Sequence, residues 1–525
     1  MKKLRAYSRQ NWVFLLLSML FTGWALAFIY HSSYAAIDGR RYFNLFDDAM
    51  ISMRYAWNFA HGDGLVWNVG ERVEGYTNLL MTLLMSLAAL MLDKRYAVLA
   101  IQLTGIFFML GTAFFTLKIF EVADKTLGSF SRLILFAAVL LYYPLNYWSL
   151  LGMETGLLAF LLGAGVLCSF LYVEKLEIKY LWLMSVSFGL CYLTRNDSLL
   201  FALPAFLYLT QTLKNGRKFI YYFFAAGCIY SLFVIGQTAF RYVYYGQMLP
   251  NTYTLKLVGM PLLERLQNGW GFIQPFLKET SIILVIASAG MFLKASKQKL
   301  YLFGFFIISI AYQIYVGGDP WDYWRMMSPA MPFLLILFVL ACDAILSKLL
   351  KVPHKFALNG LLFLLIFGGL LQADFRFRHE MSLEVYPFDN EAARKHVDEA
   401  IAINAVTDSG ATIGVFWAGT LPYYVDRAAF DFLGKSDPYI ANLPPDLSGK
   451  IAWNGMNSVP GHNKYDLNYS IKKLLPTYVQ GFEWGAQDLS AWGGEQYVQV
   501  KYKGVRLYLL KNSPDVDWDK VIIVK

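Results

Sequence analysis

The chain has 525 residues, of which 57% are hydrophobic and only 16% are charged, and its formal net charge is +9. Mean hydropathy is +0.42, and apolar stretches of roughly 18–22 residues, long enough to cross a ~30 Å hydrocarbon core as helices, recur as far as residue 372. This pattern predicts a polytopic α-helical membrane protein. Most basic residues lie in short loops between apolar stretches, so the positive charge follows the positive-inside rule and does not indicate a nucleic-acid partner.

The first apolar stretch, residues 12–30, follows a basic N-terminus, and we expect it to be a retained signal anchor with its start in the cytoplasm. Residues 31–96 then form a first external loop. Within it, residues 79–92 are apolar but short, and a full crossing there would turn every later basic loop outward. We therefore expect this segment to lie in the membrane interface. The topology then has about eleven spans, near residues 11–30, 97–118, 132–150, 156–174, 180–194, 198–213, 219–240, 278–294, 300–316, 326–347 and 356–373.

Hydropathy falls after residue 372 and stays low. Residues 376–525 are long enough for one soluble domain, so we divide the chain into a transmembrane domain (1–375) and this second domain. Residues 391–403 have helical spacing, and four short segments have strand character: 412–417, 497–502, 505–510 and 521–524. These features predict a small α/β domain. With an odd number of spans before it, the domain is expected outside.

The first loop carries an unusual concentration of carboxylates for a protein with few charges, and charge beside hydrocarbon is costly without a partner or a use. Asp47 and Asp48 stand together near its start. Such a pair can provide a general base or hold a divalent cation such as Mg²⁺ or Mn²⁺. The alternative is that the two acids stabilise the N-terminus of a helix predicted over residues 48–60. The sequence leaves both interpretations open.

Three further external loops contain candidate residues. Arg195 can bind a lipid phosphate through its two-pronged guanidinium, or it can pair with Asp197. The tyrosine-rich segment 241–256 is typical of an interfacial aromatic belt, which does not explain Asn251 or Lys256. Residues 317–325 combine tryptophans with the charged residues Asp319, Asp322 and Arg325.

The C-terminal region contributes His462, which is more often structural than catalytic when it stands alone. No Walker A loop, zinc-ligand cluster or dinucleotide-binding fingerprint is present in the sequence. Nucleotide sugars are cytoplasmic, whereas polyprenyl-phosphate sugars reach the outer face. An external site without a nucleotide motif therefore points to a lipid-linked donor.

The sequence resembles the GT-C glycosyltransferases, and most of all the terminal arabinofuranosyltransferases of the mycobacterial cell wall and their uncharacterised bacterial relatives. The resemblance extends from residue 47 beyond residue 462. One departure is Asn196, where relatives usually have proline, and it leaves the Arg-x-Asp spacing intact. The matching segments are Asp47-Asp48-Ala49, Arg54-Tyr55-Ala56, 62–68, 70–78, Gly152-Met153-Glu154-Thr155, 193–197, Tyr244-Tyr245-Gly246, Leu249-Pro250-Asn251-Thr252, Gly317-Gly318-Asp319, Asp431-Phe432-Leu433-Gly434 and Pro460-Gly461-His462.

The resemblance implies a fold with two juxtamembrane helices in the first loop and an inverting transfer from a polyprenyl-phosphate sugar, with or without a divalent metal. Asp47 or Asp48 would be the base that activates the acceptor hydroxyl, or would orient that hydroxyl, and the pair could also hold the metal. The donor phosphate would be bound by Arg195, Lys256 and Arg325. The sugar and the acceptor would be bound by Arg54, Glu74, Tyr76, Asn78, Glu154, Asp197, Asn251, Asp319 and His462.

The expected acceptor is an envelope glycan, glycolipid or glycoprotein on the outer face of a bacterial inner membrane, with membrane lipids as the other partners. Two other functions stay open. A polymer ligase would use a diphosphate-linked oligosaccharide. A lipid or polysaccharide transporter would need charged residues inside spans and often paired repeats, and neither is evident in the sequence.

Overall fold

The computed structural model describes residues 2–125, 128–212, 217–293, 295–321, 323–349 and 355–524. Asp322, one of the candidates above, lies outside these residues. Every predicted span coincides with a helix or with a bent pair of helices. These are Lys2–His31, Lys94–Ala123, Ser129–Leu141 with Tyr143–Leu150, Thr155–Lys175, Ile178–Thr194, Leu199–Thr212, Arg217–Tyr245, Ser281–Leu293, Lys297–Val316, Met331–Leu349 and Lys355–Asp374.

Seven helices in the described ranges are long and apolar enough to cross a membrane, or up to nine if each of two bent pairs forms one span. The predicted total of eleven also counts shorter helices, so that total stays a prediction. One bend, of 50°, separates Ser129–Leu141 from Tyr143–Leu150. Pro144 stands in the first turn of the second helix, where a proline is tolerated because no helical amide bond is lost there.

The first loop contains the two helices that the sequence predicts. Asp47–Ala60 begins with the acidic pair, and Leu79–Met91 packs against it. The second helix has 13 residues, which at ~1.5 Å per residue is too short to cross the hydrocarbon core. Asp93 then caps the long helix Lys94–Ala123 by accepting bonds from the backbone amides of Arg95 and Tyr96.

Residues 241–279, predicted as a loop, also contain helices, namely Asn251–Leu257 and Leu262–Glu279. The second of these is bent by 83° from Ser281–Leu293. One face is exposed and apolar, with Leu263 and Trp270, and the opposite face buries Phe272 and Phe276. Polar residues such as Glu264, Arg265 and Gln267 interrupt these apolar ones, so the helix is too polar on average for hydropathy alone to separate it from a loop.

The C-terminal region is an α/β unit, as the sequence predicts, and it is built on a mixed six-stranded sheet that contains the four predicted strands and two that were not predicted, Ala428–Asp431 and Tyr478–Val479. In spatial order its strands are Ile522–Ile523, Tyr497–Tyr502, Val505–Leu510, Tyr478–Val479, Thr412–Val415 and Ala428–Asp431. Thr412–Val415 runs parallel to both of its neighbours, and the other pairs are antiparallel. Helices Asn390–Val406 and Thr420–Tyr424 pack together beside the sheet.

Two contacts of the first loop hold this C-terminal region in place. Arg54 donates to the carbonyls of Pro422 and Arg427, and its guanidinium lies over the ring of Trp67 at 4.7 Å. Gly419 passes so close to the first turn of Asp47–Ala60 that an added Cβ would lie 1.9 Å from the Asp47 carbonyl oxygen. Glycine is therefore required there for steric reasons.

Candidate active site

A cavity of about 540 Å³ lies beside the N-terminal end of Asp47–Ala60. Its wall brings together residues from the first loop, from several predicted spans, from helix Asn251–Leu257 and from the C-terminal region. Polar side chains line much of the cavity wall, and apolar side chains line one side of the cavity. The candidates from the sequence that line it are Asp48, Tyr76, Asn78, Glu154, Arg195, Asp197, Lys256, Asp319 and Arg325.

Asp48 is the carboxylate of the acidic pair that faces this cavity. Its Oδ2 accepts bonds from Arg325 Nη1 at 2.9 Å and from the Trp321 indole N–H at 3.2 Å, and its Oδ1 accepts from Lys435 Nζ at 2.7 Å. Burial raises the pKa of the Asp48 carboxyl, but the charges of Lys435 and Arg325 outweigh burial and hold that pKa well below its usual range. Asp48 is therefore ionised, and both of its oxygens accept hydrogen bonds.

Asp47 has a different environment, although it is the adjacent residue. Its carboxylate accepts bonds from the backbone amides of Gly419 at 3.2 Å and Thr420 at 2.8 Å, and it does not line the cavity. These contacts join the first loop to the C-terminal region. Of the two candidate bases, the geometry therefore favours Asp48.

Lys435 was not identified from the sequence, and it reaches the cavity from the C-terminal region. Strand Ala428–Asp431 ends in a turn in which Asp431 accepts bonds from the amides of Leu433 and Ser436, and Gly434 has a φ of +77°. That left-handed conformation favours glycine. The Asn251 amide donates to the carbonyls of Gly434 and Lys435 at 2.9 and 3.0 Å, which orients the turn toward Asp48. The motif Asp431-Phe432-Leu433-Gly434 was the available signal.

Lys256 differs from the other cations of the cavity. Among the basic side chains that line it in the described part of the chain, Lys256 has no hydrogen bond or ion pair. Its alkyl chain packs over Gly461, where an added Cβ would lie 3.1 Å from Cε. Burial lowers the pKa of the Lys256 amine, partly offset by the nearby carboxylate of Asp319. An unpaired, desolvated ammonium is suited to an anionic ligand.

Arg195 is held by two carboxylates. It binds both oxygens of Asp197, at 3.0 and 2.7 Å, and Oε1 of Glu154 at 2.6 Å. The second Glu154 oxygen accepts from the Asn78 side chain at 3.1 Å. Arg195 therefore has the ion pair that the sequence offered as the alternative to phosphate binding, and it has two partners instead of one.

Glu74 and Arg241 form a buried ion pair, with 3.1 Å between Arg241 Nη2 and Glu74 Oε1. Arg241 also donates to the side chain of Asn196 at 2.9 Å, so the residue that departs from the expected proline has a defined partner. Arg241 lines the cavity and Glu74 does not. Tyr76 lines it as well, and its hydroxyl contacts that of Tyr245 at 3.2 Å.

His462 lies outside the cavity lining, within a cluster of aromatic rings that we call the tryptophan cluster: Trp321, Trp417, Trp453 and Trp484. Their ring centroids are 5.0–6.4 Å from that of His462. The imidazole is buried, and neither ring nitrogen has a hydrogen-bond partner in the described structure. Burial, assisted by the charge of Lys435, lowers the pKa of His462 to about 3, so the ring is neutral near pH 7.

The donor set around the acidic pair does not fit a resident divalent metal. Asp48 is neutralised by two cations, and Asp47 accepts from two backbone amides. No group of three or more His, Cys, Asp or Glu side chains within the described ranges is placed to hold a metal ion. The predicted Mg²⁺ or Mn²⁺ ligands are thus engaged by hydrogen-bond donors, and no step below is derived through a metal.

The fold is that of the GT-C glycosyltransferases. The structure of ArnT from Cupriavidus metallidurans matches over 81% of this chain and 86% of its own, with a TM-score of 0.54 and 12% identity. The Archaeoglobus fulgidus oligosaccharyltransferase AglB, described in complex with an inhibitory peptide and a dolichol-phosphate, matches over 98% and 75%, with a TM-score of 0.58 and 10% identity.

Two further comparisons complete these findings. ArnT has also been described bound to undecaprenyl phosphate, and that structure matches with a TM-score of 0.51 and 10% identity over 80% of this chain and 86% of its own. No protein-family model matches this chain, and no curated protein matches it in sequence. The GT-C resemblance noted in the sequence is therefore confirmed at the level of the fold.

Proposed function

We propose that this chain is a glycosyltransferase that moves a single sugar from a polyprenyl-phosphate donor to a hydroxyl of a cell-envelope glycan, glycolipid or glycoprotein. The observation that carries the proposal is the position of an ionised carboxylate, Asp48, beside the unpaired ammonium of Lys256 in the cavity of a GT-C fold. The reaction would occur on the outer face of a bacterial inner membrane, with the C-terminal α/β domain on the same side.

The charges divide the cavity into two halves. Around Asp48, three cations, Arg325, Lys435 and Lys256, face the two carboxylates of Asp48 and Asp319. This half therefore carries an excess of one positive charge, which matches the single charge of a phosphodiester-type donor. ArnT bound to undecaprenyl phosphate and AglB with a dolichol-phosphate support this class of ligand by analogy of fold.

The other half carries the opposite excess. Glu154 and Asp197 share the single cation Arg195, and Asn78 and Tyr76 stand beside them on the wall. Carboxylate and amide oxygens accept hydrogen bonds from hydroxyl groups. We assign the sugar of the donor to this half, with Glu154, Asp197 and Asn78 as its hydrogen-bond acceptors. Arg195 then orients these acceptors and does not bind the phosphate.

The apolar side of the cavity provides a path for the polyprenyl chain. Leu199, Met248 and Leu249 line the cavity and are also 47%, 63% and 52% exposed. Exposed apolar side chains at the mouth of a polar cavity are expected where a lipid enters. The donor would lie with its chain across this rim and its phosphate at Lys256.

In the transfer, an acceptor hydroxyl attacks the anomeric carbon, a carbon–oxygen bond forms there, and the bond from that carbon to the phosphate oxygen breaks. The phosphate leaves with the electron pair and needs no proton. Asp48 takes the proton of the attacking hydroxyl as general base. Arg325 and Lys256 stabilise the negative charge that develops on the leaving phosphate.

The acceptor would approach from the side of the C-terminal region. Trp321 connects the cavity with the tryptophan cluster, because its indole N–H contacts Asp48 and its ring lies 6.0 Å from that of His462. The four tryptophans are partly exposed, and aromatic faces of this kind pack well against sugar rings. His462 and Asn251 would support this acceptor side, and Arg54 and Glu74 would hold the loop that frames it.

The experiment that tests the proposal measures transfer by the purified chain from synthetic polyprenyl-phosphate pentoses and hexoses to cell-envelope extracts. Transfer that the Asp48→Asn variant loses supports the proposal. Transfer only from a diphosphate-linked oligosaccharide would identify a ligase instead. Movement of lipid-linked sugar across vesicle membranes without any transfer would identify a transporter. Where transfer is observed, a comparison of envelope glycans in cells with and without the protein identifies the product.

A further inference from the structure

The carboxylate proposed as the base accepts hydrogen bonds from three donors at once. Lys435 occupies Oδ1 of Asp48, while Arg325 and Trp321 occupy Oδ2. A general base must accept a hydrogen bond from the hydroxyl it deprotonates. These donors fill three of the roughly four acceptor sites of the carboxylate, so the departure of one donor would open space for the hydroxyl and make Asp48 a stronger base.

Two of the three donors are held in place by other contacts. Arg325 also binds Asp319, at 2.5 Å, and Trp321 also donates its backbone amide to Asp319 at 3.0 Å. Both are therefore tied to the same second carboxylate. Lys435 differs, because Asp48 is the only carboxylate with which it forms an ion pair among the described residues.

Lys435 is also the donor best placed to exchange partners. It lines the same cavity as the unpaired Lys256, in the half with the excess positive charge. Its backbone is fixed by Asn251 and by the Asp431 turn, whereas its side chain has four rotatable carbons. A lysine ammonium is a mobile point charge with three donors, in contrast to the rigid fork of an arginine.

We infer that Lys435 is a further ligand of the donor phosphate, and that Asp48 and this phosphate compete for it, so that loading of the donor frees Asp48 Oδ1 for the acceptor hydroxyl. The inference rests on the proposed function. It makes the order of events donor first, acceptor second, because without the donor the base stays paired. It also gives the C-terminal region a direct part in the chemistry through a residue 387 positions away from Asp48.

The test is a double-mutant cycle on the binding of undecaprenyl phosphate to the full-length protein in detergent. Competition predicts that Asp48→Asn tightens binding by ~10-fold in the wild-type background and by less than about 3-fold in the Lys435→Gln background. Lys435→Gln alone is expected to weaken binding by ~10-fold. Lys435→Arg retains a cation and is expected to recover part of that loss.

Lys256 supplies the matched control, because it lines the same cavity but is not paired with Asp48. In the Lys256→Gln background, Asp48→Asn is expected to tighten binding as much as in the wild type. Simple repulsion between Asp48 and the phosphate would produce the same gain in all three backgrounds and would overturn the inference. Unchanged binding in Lys435→Gln would overturn it as well, and that arm does not depend on Asp48→Asn folding.

The outcomes separate the inference from the proposed function. If the wild-type protein binds undecaprenyl phosphate but the cycle shows no coupling between Asp48 and Lys435, the competition is refuted and a polyprenyl-phosphate donor stands. If the wild-type protein does not bind this lipid at all, the proposed donor class itself is refuted, and Lys435 is then a structural partner of Asp48.

Discussion

Replacing Asp48 by asparagine perturbs both the chemistry and the stability of the protein, and the structure allows the two effects to be estimated separately. Loss of a general base lowers the rate by a factor of ~10²–10⁴. The effect on folding is larger than a helix-end position suggests. A carboxylate that only stabilises a helix dipole contributes ~0.3–1 kcal/mol, whereas breaking a buried ion pair costs ~3–5 kcal/mol.

The Asp48 side chain is 16% exposed and that of Lys435 only 10% exposed. Lys435 would lose its carboxylate partner, while Arg325 would keep Asp319. We therefore expect a clear fall in the thermal unfolding temperature of Asp48→Asn, together with the loss of rate. The assay is transfer from a synthetic polyprenyl-phosphate sugar, measured well below the unfolding temperature of the variant.

Asp47→Asn is the matched control, because it makes the same substitution one residue away. Asp47 accepts from the amides of Gly419 and Thr420, and an asparagine can keep only one of these bonds. The loss is expected to cost ~1–3 kcal/mol in stability and to change the rate less than Asp48→Asn does. Near-normal transfer by Asp48→Asn, or a larger loss of kcat in Asp47→Asn, would refute the assignment of Asp48 as the base.

Three further predictions concern Arg195, His462 and the topology. Arg195→Ala leaves Glu154 and Asp197 without their shared cation, so we expect a lower thermal unfolding temperature, with a smaller decrease in Arg195→Lys. Weaker binding of undecaprenyl phosphate at unchanged stability would instead identify Arg195 as a phosphate ligand. Burial lowers the pKa of His462 to about 3 in the folded protein, whereas an unfolded histidine titrates near 6.5. Between these values the unfolded state binds more protons, so the free energy of unfolding falls as pH drops through that window, by up to ~1.4 kcal/mol per pH unit. Thermal unfolding of His462→Gln should lack this pH dependence, and an equal dependence in both proteins would contradict a buried neutral ring. Reporter fusions after residues 216 and 296 should be cytoplasmic and those after 93, 258 and 400 external; a cytoplasmic reporter after 93 would mean that the helix Leu79–Met91 crosses the membrane.

Much of the architecture could be predicted from the sequence because its signals are local. A run of apolar residues predicts a membrane helix wherever it stands, and each predicted span coincides with a helix. The short helix Leu79–Met91 followed from charge and length, and four of the six strands of the C-terminal sheet followed from their sequence pattern. The amphipathic helix Leu262–Glu279 was missed because it is too polar on average to stand out from a loop.

The candidate site was predicted only in part, because its pairing depends on contacts between distant parts of the chain. Composition identified both Asp47 and Asp48, but successive helical residues point ~100° apart, and packing against Gly419 decides which one faces the cavity. Spacing offered Asp197 as a partner of Arg195, whereas Glu154 comes from another helix end. No local sequence pattern could predict the ion pair between Lys435 and Asp48. The sequence by itself therefore determined the membrane helices and the kinds of residue at the site, and the tertiary structure decided their partners, since an ion pair depends on distance in space and not along the chain.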